Sequence, residues 1–527
     1  MSPRLYILEV YEEMKRRSSF VIALALTLVL VTSGLVSAQG VFGGSVKVAV
    51  ETEPANLDIQ MTPSDQVSYI AQHIFEQLFA FNEAFDIVPM LAESYTVNPE
   101  GTVYEITLRK GVPFHNGKEM TSEDVLASLH RWSQVSARGA TAFGFITEVE
   151  ALDDYTVVLR LREPFAPLLS FLAFQNTAAS IYPKEIAEKY PNTPIAEYIG
   201  TGPYKFVHWM PDYRIRLERF DDYAARDDEA SGWGGKKVAY LDTVEFYTVL
   251  EAYTRQAGVQ AGDYHVGMVI NRESYPALVA DPSVNTHMLS PGGFDWVIFN
   301  KKEGIMSNQK MRQAALAAMD MEPILYATYG LPEFFKHGPS YYPEGTVWYT
   351  EAGGEMYSQG NLERAKQLLK EAGYNNEPVR LISTAERPDY LNIALVTAAQ
   401  WEEAGINVDL QLYDWATVLE RRANPQVNDA FVTGHGFVPD PSLLTVLNSA
   451  YPGWWDSEAK NELLARFQSE PDQQKRMAIW EEIHALIYEE VPAIRMGDYY
   501  SLTISSASLQ NFYGTTWPVL WNVWIQK

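Results

Sequence analysis

The sequence predicts an α/β protein with more than one hydrophobic core. Three observations carry that prediction. At 527 residues the chain is longer than one core fills, so two or three domains are expected. Tyr104, Ile106 and Leu108 alternate with Glu105 and Thr107, the period of a half-buried strand, and Val125, Leu126, Leu129 and Trp132 then recur at helical spacing. Further on, Leu391 to Ala404 reads as a helix closed by Gly405, and Ile406, Val408, Leu410 and Leu412 follow at period two. Helix, glycine, strand is an α/β unit.

Taken in order, Gly43-Gly44 leads into a first alternating strand, Ser45 to Val50, followed by a loop from Glu51 to Asp58. Asn98-Pro99-Glu100-Gly101 has turn chemistry ahead of the Tyr104 strand, and Asn116-Gly117 marks a second turn. Thr121 precedes Asp124 by three residues, a capping-box start for the helix through Trp132. Gly200-Thr201-Gly202-Pro203 is a tight turn entering a strand. It is no dinucleotide fingerprint, because Lys205 stands where the third glycine belongs. Asn361 caps a helix whose buried stripe is Leu362, Ala365, Leu369 and Ala372, and Gly373 supplies its left-handed stop.

Composition narrows the function. A formal net charge of −26 argues against nucleic acid and anionic membrane surfaces as partners. Aromatic residues at 13% suit aromatic-lined clefts as well as large aromatic cores. With no cysteine, the chain has no disulfide, thiolate metal site, Cys nucleophile or lipid-bearing Cys. Lys15-Arg16-Arg17, the apolar run Phe20 to Val31 and the small residues Val36-Ser37-Ala38 read as a secretory signal, with Met14 as an alternative start. Cleavage is expected after Ala38, leaving Gln39 as the new terminus; the other reading is an uncleaved anchor. No later stretch has the roughly 18 consecutive apolar residues a membrane span needs. No H-E-x-x-H, G-x-S-x-G or Walker spacing occurs, and the nine histidines lack metal-ligand spacing, so no enzyme activity, cofactor or metal is expected.

The segment Leu91 to Val125 contains Ala92-Glu93-Ser94-Tyr95, Leu108-Arg109-Lys110-Gly111-Val112, Phe114-His115-Asn116-Gly117 and Thr121-Ser122-Glu123-Asp124-Val125. In order and spacing it resembles the hallmark of the family 5 extracytoplasmic solute-binding proteins, the dipeptide and oligopeptide receptors of ABC importers. Gly200-Thr201-Gly202-Pro203-Tyr204, Phe299-Asn300 with Met311-Arg312-Gln313-Ala314 through Asp320, and Asn361 to Tyr374 resemble further motifs of that family. The resemblance runs from about Ser45 to about Asp498. It implies a two-lobed periplasmic-binding-protein-like α/β fold with an additional inserted domain. One lobe would combine residues 39–84, 198–296 and 498–527, the inserted domain would span 85–197, and the other lobe 297–497. It also implies a monomeric periplasmic receptor that closes over a peptide or other small solute. The receptor would hand that solute to an ABC permease and, through it, to a cytoplasmic ATPase. An oligosaccharide or other amine-free solute is the alternative, and a secreted hydrolase on a similar scaffold the second.

The resemblance also gives the expected site. Peptide-binding members carry a segment whose first acid pairs with the ligand's α-ammonium. The matching stretch here, Gly434 to Leu444, aligns its Asp440-Pro441 but has Phe437 in place of that acid. A phenyl ring leaves a desolvated ammonium only a cation–π contact, on the order of 1–2 kcal/mol. Either Asp414 or Glu53 binds the amine instead, or the ligand has none, in which case Phe437, Trp415, Trp296 and Trp517 offer stacking surfaces. Asp440 faces the ligand or is a turn residue before Pro441, and His435 is a further candidate. Gly293 and Phe294, in Gly292-Gly293-Phe294-Asp295-Trp296, match a segment that meets the ligand with backbone groups, and paired glycines suit such an approach.

Overall fold

The alternation through Ser45–Val50 turns Val46, Val48 and Val50 into the core and leaves Ser45 exposed. This strand lies inside a mixed sheet of eleven strands in the computed structural model, which describes residues 40–526. The expected signal segment, with cleavage after Ala38, therefore lies outside the described residues. Among the described residues, no helix is long and apolar enough to cross a membrane.

The sheet has two halves. In the first, Ser45–Val50 lies parallel to Thr243–Thr248 and Val266–Ile270, and Arg214–Arg219 and Tyr204–Met210 extend the edge. In the second, Val379–Thr384 lies parallel to Val408–Tyr413 and Ala430–Gly436. Two long antiparallel strands, Val284–Phe299 and Ala493–Ser506, run through both halves. Val284 to Leu289 pair with Ser501 to Ser506 in the first half. After a register shift, Gly293 to Ile298 pair with Ala493 to Tyr499 in the second. The crossing therefore falls at residues 289–293 and 499–501, where both strands break register together.

The crossing also accounts for the paired glycines. A Cβ on Gly292 would stand 2.3 Å from the Tyr499 carbonyl oxygen. One on Gly293, at φ +136°, would stand 2.4 Å from that of His435. The close backbone approach expected of these glycines is made to neighbouring strands of the same chain.

A separate four-stranded antiparallel sheet, Ala92–Val97, Val103–Leu108, Thr156–Leu161 and Ile146–Asp153, carries the hallmark segment. The capping box closes as its spacing predicts: the Thr121 side chain accepts from the backbone of Asp124, whose carboxylate accepts from the Thr121 N–H at 2.9 Å. The helix Ser122–Val135 buries Val125, Leu129 and Trp132. Its Arg131 forms a buried ion pair with Asp58 at 2.5 Å, tying this sheet to the loop after the first strand. Asp58 also accepts from the Tyr182 hydroxyl and the Ile195 N–H, so the buried charge is fully hydrogen-bonded.

Candidate binding cleft

The C-terminal ends of parallel strands are where α/β sheets leave room for ligands. In the first half, Ser45–Val50 ends at Glu51, whose Oε1 accepts from Gln66 at 2.8 Å while its buried Oε2 has no hydrogen-bond partner among the described residues. The neighbouring helix Asp65–Ala71 presents Asp65 in its first turn and Tyr69 four residues on. The Trp517 indole N–H donates to Asp65 Oδ1 at 2.8 Å. Surrounding protein raises the Asp65 carboxyl above its ordinary range, and the Trp517 and Asn176 hydrogen bonds oppose that shift.

In the second half, Val379–Thr384 hands over to a loop that places Arg387 4.0 Å above the Tyr390 ring and 5.7 Å from that of Trp415. Arg422 also approaches the Trp415 ring, at 5.9 Å. Arg387 is exposed and takes no carboxylate partner among the described residues. A cavity of about 400 Å³ opens beside it, lined from both halves by Asn271, Arg272, Glu386, Arg387, Asp389 and Ser501.

Tyr499 stands at the crossing between these walls. Burial raises its phenol, and the charged and polar groups that act on it are Asp295, Tyr390, Arg387 and Asp65. Asp295 is 3% exposed and accepts from the Tyr329 hydroxyl at 2.6 Å. Burial pushes its carboxyl up to about 7, against the pull of that hydrogen bond. Gly434 leaves room for this arrangement, since a Cβ there would stand 2.5 Å from Asp295 Oδ1 and 2.7 Å from the Tyr390 hydroxyl.

The residues proposed from sequence scatter across this frame. Trp517 and Trp415 lie on the two walls. Glu53 is occupied: its carboxylate accepts from the Trp209 indole at 2.6 Å and from the Asp212 N–H at 3.0 Å. Asp414 caps the helix Trp415–Arg422 through Thr417, whose hydrogen bonds lower its carboxyl. Trp296 is fully buried, with Phe294 packed edge-on against it at 5.1 Å, and Gly293 belongs to the crossing. His435 stacks on Phe294 and its Nε2 accepts from the Thr445 N–H at 3.2 Å, so the ring is a neutral tautomer with its proton on Nδ1. Burial lowers its basicity in the same sense. Asp440 is wholly buried and paired with Arg476 at 3.0 Å, so it does not open to the cleft.

Phe437 is 6% exposed, packed 4.5 Å from Phe85 and 6.1 Å from Tyr342. Phe437→Asp is therefore expected to destabilise the protein, by at least the ~3–5 kcal/mol of deleting a core ring, and not to act as a ligand-specific switch. A thermal melt without solute checks this, and an unchanged melting temperature would contradict the packing. Sequence reasoning passed over Asp65, Arg387, Tyr390 and Tyr499. Strand ends were the signal available: Glu51 directly follows the parallel strand Ser45–Val50, and Arg387 comes three residues after the parallel strand Val379–Thr384.

The sequence model of the family described as "Bacterial extracellular solute-binding proteins, family 5 Middle" matches residues 86–454. A probable peptide ABC transporter periplasmic-binding protein, y4tO, of Sinorhizobium fredii is 27% identical over 526 residues, covering 96% of this chain and 99% of that protein. The dipeptide-binding protein of Escherichia coli is 26% identical over 449 residues, covering 78% and 80%. Among solved structures, the substrate-binding protein CtaP of Listeria monocytogenes superposes with a TM-score of 0.80 at 22% identity, covering 92% of this chain and 100% of that one. DppA of Helicobacter pylori, in complex with the peptide STSA, gives a TM-score of 0.73 at 24% identity, covering 93% and 100%. These likenesses give the fold, a two-lobed α/β binding protein. With the match spanning most of the chain, from the small antiparallel sheet through the strand that carries Gly434, the protein belongs to the family 5 bacterial extracellular solute-binding proteins.

Proposed function

We propose that the protein is the capture component of an ABC importer. It takes a peptide or peptide-like solute between its lobes outside the cytoplasm and presents it to a membrane permease driven by a cytoplasmic ATPase. The lobes correspond to residues 39–84 with 198–296 and 498–527, and to 297–497, with 85–197 inserted; they rotate about the two crossing strands. One observation carries the peptide reading: the two halves offer opposite charges, Asp65 beside Trp517 in the first and, in the second, Arg387 over Tyr390 with no carboxylate partner among the described residues. A zwitterionic chain has the matching poles, an ammonium for Asp65 and a carboxylate for Arg387. That pairing supplies the counter-charge that Phe437 lacks. A sugar platform is less well supported, because two guanidinium groups already lie against the Trp415 ring. The relatives named for peptides point the same way. The family and the relatives this chain resembles are binding proteins, which supports a receptor.

The test is a thermal-shift panel of di- to pentapeptides against the same peptides acetylated at the N-terminus or amidated at the C-terminus. Free peptides are expected to stabilise the protein by about 2.7 kcal/mol at a hundredfold excess over Kd. Arg387→Ala is expected to weaken free peptides about tenfold or more while leaving C-terminally amidated ones unchanged. A charge-assisted hydrogen bond contributes roughly 1.5–3 kcal/mol, and 1.4 kcal/mol is a factor of ten. Shifts with oligosaccharides alone would overturn the peptide reading.

A further inference from the structure

Arg272 and Asp389 come from opposite lobes. Arg272 begins the single turn Arg272–Ser274 that follows the strand Val266–Ile270 in the first lobe. Asp389 is in the first turn of the helix Pro388–Glu403 in the second. Their side chains meet at 3.5 Å, and the Arg272 guanidinium also lies 5.1 Å over the ring of Tyr329, again from the second lobe. Among the ion pairs of the described residues, only this one and Arg495–Asp498 join the first lobe to the second, and Arg495 and Asp498 are three residues apart on the single strand Ala493–Ser506, so lobe rotation need not part them.

We propose that Arg272 and Asp389 form a closure latch, holding the lobes together in the closed state and parting when the cleft opens. Three features distinguish it from an incidental surface pair. Among the described residues the two crossing strands run through both halves, so rotation about them separates Arg272 from Asp389 directly. Asp389 is two residues from Arg387, so any motion that widens the cleft at Arg387 pulls Asp389 from Arg272. The competing groups are held elsewhere: Glu386 accepts from the Trp415 N–H at 3.0 Å, and Arg387 lies over Tyr390. Arg272 thus has a carboxylate and a ring to grip across the gap.

The pair is partly exposed, at 23% and 38% of its side-chain surfaces. A pair of that kind adds little to overall folding stability. Between two bodies in a closing equilibrium, however, its whole contribution appears as a change in the closed-to-open ratio. Removing it is expected to lower that ratio about 2–5-fold.

The chain has no cysteine, so two can be introduced for spin labels without background. Tyr253→Cys in the first lobe and Leu395→Cys in the second are both exposed and stand apart from the latch. Pulsed electron–electron distance measurements on the solute-free protein should then give a short-distance population. That population is expected to fall in Arg272→Gln and in Asp389→Asn, and to return in the swapped Arg272→Asp, Asp389→Arg double variant. Distributions unchanged in both single variants would overturn the latch. So would a loss that the swapped pair fails to restore, since the effect would then not come from pairing. Because no solute is added, the result is independent of the class of solute that the cleft takes.

Discussion

Asp440→Ala is expected to cost about 3–5 kcal/mol of folding stability, with or without solute. The carboxylate is wholly buried and accepts from Arg476 Nη2 at 3.0 Å, from the Ser170 hydroxyl at 3.1 Å, and from the Ser442 N–H and hydroxyl at 3.0 and 2.6 Å. Removing it leaves Arg476, itself nearly buried, as an uncompensated cation beneath Trp348 and Phe467. The damage should also spread along the chain. Ser170 is in the helix Leu168–Ala173, and close by the Ala166 N–H donates to the Gln468 carbonyl at 2.7 Å. Asp440 therefore ties the helix Leu168–Ala173 to the helix Gln473–Glu490. Urea denaturation of the solute-free variant reads the cost. A ligand-facing Asp440 would instead leave solute-free stability nearly unchanged and weaken only binding. The double variant Asp440→Leu, Arg476→Met is expected to recover much of the loss, because two apolar side chains leave no charge unpaired.

Asp440 also marks the boundary of what the sequence made legible. Signals confined to a few residues came through. Asn361 caps its helix by accepting from the Arg364 N–H at 3.0 Å, and Gly373 and Gly405 stop theirs at φ +71° and +95°. The alternation of Tyr104, Ile106 and Leu108 places all three in the core. Each of these follows from steric and hydrogen-bonding rules that act within one turn or one strand. The side chains of the cleft obey partners that no local rule exposes. Asp65 is held by Trp517, 452 positions away, and Glu53 by Trp209, 156 away. Glu53 and Glu51 are indistinguishable as letters in the same loop, yet among the described residues the fold occupies both oxygens of the first and leaves one of the second without a partner. Phe437 looked like a missing acid because the alignment could not show Phe85 packed against it.

A large pH effect is expected at Asp295. Its folded-state carboxyl titrates at about 7 instead of 3.8, because burial disfavours the anion by more than the Tyr329 hydrogen bond favours it. Between those two values the folded protein keeps a proton that the unfolded chain releases, so stability falls as pH rises from about 4 to 7 and levels off above. At about 1.4 kcal/mol per pKa unit the full penalty is roughly 4 kcal/mol. Asp295→Asn keeps an acceptor for the Tyr329 hydroxyl and removes the ionisable proton. The variant should therefore match the parent near pH 4 and exceed it by up to about 4 kcal/mol at pH 8, as read by urea denaturation at pH 4, 6 and 8. A difference that does not change with pH would mean that Asp295 titrates as an ordinary carboxyl. The expected gain raises the question of why an acid stands there at all. Asp295 lies on a crossing strand, and Tyr329, Tyr390 and Tyr499 all feel its charge. A buried carboxyl poised near neutrality costs stability, and whether it is charged sets the field felt by those three tyrosines.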